Sequence, residues 1–141
     1  MRISCVLILM LVTLILVPGC IAPPVENAIL VEYQRTGGIA GFNDHLTVFS
    51  NGTTFVSRRG DVPVVVIMNQ SDLDRLVRLF DDAGFTNLAP DYPPASPGAD
   101  YFDYRVTYRG KTVHAVDTGV PPALEPVLRA LNEIVSRYAL P

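Results

Sequence analysis

An apolar run, Ile3–Val17, opens this chain and is broken by Pro18-Gly19, with Cys20 following at once. A helix needs about 20 residues to cross the hydrocarbon core of a bilayer. This run has 15, and Met1-Arg2 gives it a cationic start, so residues 1–19 read as an export signal. Whatever folds must then fold from the remaining 122 residues. That is one domain's worth of chain, long enough to bury roughly two thirds of its unfolded surface.

The cut itself, Val17-Pro18-Gly19-Cys20, resembles the lipobox of prokaryotic lipoproteins. Cysteine usage points the same way. Cys5 leaves with the signal, so the processed chain holds a single cysteine and no internal disulfide. A free thiol is a liability in an oxidising compartment, and acylation removes it. Cys20 is therefore expected to be the lipidated first residue of the processed protein, anchored on the extracytoplasmic side of the cell membrane or envelope. Residues 20–27, with Pro23-Pro24, form a short stalk, and residues 28–141 a single domain.

Losing Arg2 leaves ten cations against fourteen acidic residues, a net charge near −4. Nucleic-acid binding rests on clustered cations, so nucleic acid is not an expected partner.

Alternation over Ala28–Thr36 predicts a first strand with Ile29, Val31 and Tyr33 on one face. Asp44–Phe49 and Thr53–Arg58 flank the hairpin dipeptide Asn51-Gly52, and Val62–Met68 is a β-branched run. These four strands read as an antiparallel meander. Ser71–Asp74 has the form of a capping box, and Leu73, Leu76, Val77 and Phe80 follow at helical spacing up to Gly84. After a Pro-rich loop over Ala89–Ala99, Tyr101–Arg109 and Thr112–Asp117 form a second hairpin, with Phe102, Tyr104, Val106 and Tyr108 inward. A second amphipathic helix follows Pro121-Pro122 through Leu124, Leu128, Leu131, Val135 and Tyr138. The expected fold is α+β: an antiparallel sheet of about six strands in ββββαββα order, two helices on one face and the other face wet.

Catalytic and metal-binding signatures are missing: there is no H-E-x-x-H, no paired C-x-x-C, no phosphate-binding Gly loop and no G-x-S-x-G elbow. A metal would require His45, His114 and a carboxylate such as Asp117 to converge from different strands. No enzyme activity, cofactor, metal or small-molecule substrate is expected. The most unusual local feature is Gly37-Gly38-Ile39-Ala40-Gly41, three glycines in five residues, followed by Phe42. It is either a wide hairpin loop with Ile39 tucked into the core or a binding loop. The segment from Asp91-Tyr92-Pro93-Pro94 to Tyr101 concentrates Tyr, Asp and Pro and is a second candidate surface. The sequons at Asn51 and Asn69 are equally accounted for as a hairpin turn and a helix cap.

Arg35-Thr36-Gly37-Gly38-Ile39-Ala40-Gly41, together with the segment Ala99–Thr107 and the closing helix that opens at Val120-Pro121-Pro122-Ala123-Leu124, resembles the emfourin family. These are small proteinaceous inhibitors of thermolysin-like zinc metallopeptidases. Ile39 stands where the family pattern has Phe. The resemblance implies a protease-facing surface made by Gly37, Gly38, Ile39, Ala40, Gly41 and Phe42, joined by Tyr92 and Tyr101 of the later loop. A metallopeptidase is thus the expected protein partner, and the membrane is reached through lipid on Cys20. The rival expectation is a structural or assembly lipoprotein that packs on another envelope component through its exposed sheet face. A projecting glycine loop favours the first, an apolar patch elsewhere the second.

Overall fold

The computed structural model describes residues 27–138; the signal, Cys20 and most of the stalk lie outside the described residues. The domain is α+β. Strands β1 (Ile29–Gly37), β2 (Phe42–Phe49), β3 (Thr53–Ser57) and β4 (Val64–Ile67) lead into helix α1 (Gln70–Asp82). Strands β5 (Asp91–Tyr92), β6 (Phe102–Tyr108) and β7 (Lys111–Val116) follow, and helix α2 (Glu125–Tyr138) closes the chain. The sheet order is β4-β3-β2-β1-β6-β7-β5. β1 through β4 form the expected meander, and β6 returns to the free side of β1, making β1 central.

Seven strands replace the expected six. β5 pairs parallel with β7 through Asp91↔His114 and Tyr92↔Ala115. Two residues stopped by Pro93-Pro94 carry no periodicity, so nothing local marks them as a strand.

Val31, Tyr33, Leu46, Val48, Val56, Val106, Tyr108 and Val113 turn one face of the sheet to the helices. Leu73, Leu76 and Phe80 of α1, and Val127, Leu128, Leu131 and Val135 of α2, cover it. Each such side chain contributes about 1.5–3 kcal/mol by leaving water. Tyr108 stacks on Phe80 at 4.3 Å between ring centres, and its hydroxyl donates to Asp81 Oδ1 at 3.2 Å. The Tyr33 hydroxyl donates to Asn132 Oδ1 at 2.7 Å, tying the central strand to α2. Every buried core side chain among the described residues lies between Val31 and Val135.

Three local expectations are corrected. The capping box read at Ser71–Asp74 lies inside the helix; the cap is Asn69, as its sequon reading allowed, with its side chain accepting from Asp72 N and donating to Asp72 Oδ2, both at 2.9 Å. A bulge between Ile29 and Val31 packs Leu30 partly against the core and leaves Ile29 exposed, because the extra residue reverses the alternation. The outer face is polar across β1, β6 and β7, but towards β4 it exposes Phe55, Val65 and Ile67. The β-branched run that marks β4 as a strand does not say which of its faces is covered.

Candidate protein-binding loop

The β1–β2 hairpin closes at one end of the sheet through residues 38–41. Gly41 N donates to Gly38 O at 2.9 Å, and Gly38 N donates across to Tyr101 O at 3.0 Å. Gly37 has φ +97°, and a Cβ there would stand 2.2 Å from Tyr101 O, so no other residue fits without moving β6. A Cβ on Gly38 would meet the Phe102 ring at 2.7 Å. The glycines therefore let two strands and an aromatic ring close tightly under the turn.

Beneath the turn sits a charged and aromatic support. Arg35 and Asp44 are directly paired positions of β1 and β2, in phase with the buried residues of both strands. Arg35 Nη2 and Nε donate to Asp44 Oδ2 at 2.5 and 3.1 Å, and Arg59 N donates to Oδ1 at 3.2 Å. Asp44 has no exposure to solvent, yet both its oxygens are satisfied, as buried carboxylates require. The Arg35 guanidinium lies 4.5 Å from the Phe42 ring centre and 5.3 Å from that of Phe102. Those two rings meet edge to face at 5.3 Å. Through Asp44, and through Gly60 N donating to Asn43 O at 2.8 Å, the β3–β4 turn is bound into the same support.

On this base Ile39 is 91 % exposed. It does not tuck into the core. Ala40 and Gly41 are also exposed, whereas Gly37, Gly38 and Phe42 are half-buried and hold the turn. Tyr101 adjoins the loop through its carbonyl, and its hydroxyl donates to Ser96 O at 2.8 Å, pinning the Pro-rich segment. Tyr92 does not join them. It packs partly against the core in β5, three strands from β1, and its hydroxyl accepts from Ala89 N at 2.9 Å. Seven of the eight expected contact residues thus share one end of the sheet, and Tyr92 supports the far edge.

Arg35, Asp44, Arg59 and Phe102 escape a sequence reading focused on the loop. For Arg35 and Asp44 a signal exists: each continues the inward phase of an apolar strand, where an unpaired charge is costly, so each demands a partner.

His114 sits on the outer face among carboxylates. Its Nδ1 is 2.5 Å from Asp91 Oδ1 and its Nε2 is 2.8 Å from Asp103 Oδ2. The hydrogen bond to Asp103, then that to Asp91, raises its pKa above the ordinary 6.5, against a smaller opposing effect of burial. His45, on β2, lies three strands away and meets Asn43 Oδ1 at 2.9 Å, so the two histidines do not converge with Asp117. Among the described residues no group of three or more His, Cys, Asp or Glu is arranged to hold a metal ion.

The chain matches no protein-family model, and no curated protein gives a significant match.

Proposed function

We propose that this chain is a membrane-anchored lipoprotein of the cell envelope whose domain binds protein through the loop Gly37–Phe42, and that it inhibits a thermolysin-like zinc metallopeptidase. The observation that carries this reading is Ile39, an isolated apolar side chain held out by a turn that is braced on three sides. Such preorganisation lowers the ordering cost of binding and suits insertion into a pocket. Thermolysin-like enzymes take bulky aliphatic or aromatic side chains in their main pocket, which is the chemistry Ile39 offers. The loop also lies at the opposite end of β1 from Asn27, about 27 Å along the strand at the usual rise per residue. A partner can therefore be met on the side of the domain away from the tether.

The test is to titrate the soluble domain, from Ala22 onward, against a thermolysin-like peptidase. Stoichiometric loss of hydrolysis supports the reading, and Ile39→Asp should abolish the effect. Unchanged hydrolysis at stoichiometric excess, or an Ile39→Asp domain as potent as the parent, sinks it.

A second reading, an assembly lipoprotein without inhibitory activity, draws on the apolar corner of the outer face around Phe55, Val65 and Ile67.

A further inference from the structure

That corner has a more specific use. Val64 and Val66 of β4 pair with the buried Val56 and Thr54 of β3, so Val65 and Ile67 point to the other side, opposite the helices. Val65 is 55 % and Ile67 71 % exposed. Phe55, paired with Val65, continues the patch, and Phe49 meets Phe55 edge to face at 5.8 Å. The bulge at Leu30 brings exposed Ile29 opposite Phe49. An apolar band therefore crosses four strands at one end of the sheet. A contiguous exposed band of this kind marks an interaction surface.

The tether says what covers it. Asn27, the first described residue, lines the same shallow depression as Phe49, Asn51, Thr53 and Phe55. From there seven residues lead back to Cys20, a reach of at most about 25 Å even when fully extended. A lipid on Cys20 would thus hold this corner close to the bilayer. We infer that the band Ile29, Phe49, Phe55, Val65 and Ile67 docks on the lipid surface, so that the anchored domain lies down on the membrane with Ile39 turned away from it. This rests on the anchor proposed at Cys20.

Weak insertion of these side chains suffices, because the tether makes the contact intramolecular and raises its effective concentration. The free edge of β4 sits at headgroup depth, where water still solvates the unpaired backbone groups that hydrocarbon would penalise. A second copy is the poorer occupant. Edge-to-edge pairing would have only the four residues of β4, preceded by Pro63, which lacks an N–H.

The chain contains no tryptophan, so one substitution gives a single fluorescent reporter. The chain from Cys20 onward, coupled through that thiol to a maleimide lipid in phosphatidylcholine–phosphatidylglycerol vesicles, is prepared as Ile67→Trp, Val65→Trp and Ile39→Trp. Docking predicts blue-shifted emission at 67 and 65 that brominated lipid quenches, and unquenched aqueous emission at 39. Equal quenching at all three sites, no quenching at 67 and 65, or a blue shift there that brominated lipid leaves untouched and that grows with surface density, overturns it; the last would mean a second copy covers the band. Since the maleimide supplies the tether, this result is independent of acylation in the cell, which labelling of Cys20 with a palmitate analogue tests separately.

Discussion

Arg35 and Asp44 pair across β1 and β2 directly under the turn that carries Ile39, with Nη2 2.5 Å from Oδ2. The same guanidinium lies over the rings of Phe42 and Phe102, so one side chain joins the buried carboxylate to the aromatic support of the loop. Replacing Arg35 by Ala leaves Asp44 buried without its charge partner. Breaking such a pair costs about 3–5 kcal/mol. Urea unfolding of Arg35→Ala should show a loss of that size, and Arg35→Lys should recover only part of it, because an ammonium provides neither the planar fork nor the same stacking.

Gly37 and Gly110 both have positive φ, but only Gly37 also faces a backbone carbonyl at close range. Gly110→Ala should pay the conformational cost alone, about 1–2 kcal/mol. Gly37→Ala must in addition displace β6 from Tyr101 O. Thermal unfolding should rank Gly37→Ala as clearly the more damaging, and equal effects would mean that the turn is less tightly closed than its geometry indicates.

The His114 imidazolium is favoured by Asp103 first and Asp91 second, with Arg105 its cross-strand neighbour on β6. A group whose folded pKa is raised gives stability that is fully present below its unfolded pKa and is lost as pH rises through the folded value. The site is partly exposed, so the contribution is small after solvent screening. NMR titration should place His114 above 6.5. Asp103→Asn should lower it more than Asp91→Asn does.

Much of this was legible in the sequence, and the failures have physical causes. Alternation marked β1, the Asn51-Gly52 turn placed β2 and β3, β-branching marked β4, and helical spacing found both helices, since each helix buries one face and exposes the other. β5 was illegible because two residues have no period and their pairing partner, His114, lies 23 residues on. The glycine run marked the loop, yet whether Ile39 pointed in or out depended on what filled the space below it. Phe42, Phe102 and Arg35 fill that space, and only the pairing of β1 with β6 brings Phe102 there. Tyr92 and Tyr101 looked alike as aromatic residues bounding one Pro-rich segment, but strand order sends them to different parts of the sheet.

The proposed anchor predicts that Cys20→Ser releases the protein from membranes. Cell fractionation with a high-salt wash reads this directly. A Cys20→Ser protein that stays with the washed membranes would show that something other than a lipid at this position holds it.

Inhibition by the Ile39 loop is read by titrating the domain from Ala22 onward against a thermolysin-like peptidase, beside Ile39→Asp. Ile39 is almost fully exposed, so its replacement removes little packing and circular dichroism should be unchanged by the substitution. Stoichiometric inhibition by the parent domain and none by Ile39→Asp are expected; full hydrolysis in the presence of excess parent domain, or undiminished inhibition by a folded Ile39→Asp domain, would show that Ile39 does not plug a peptidase pocket.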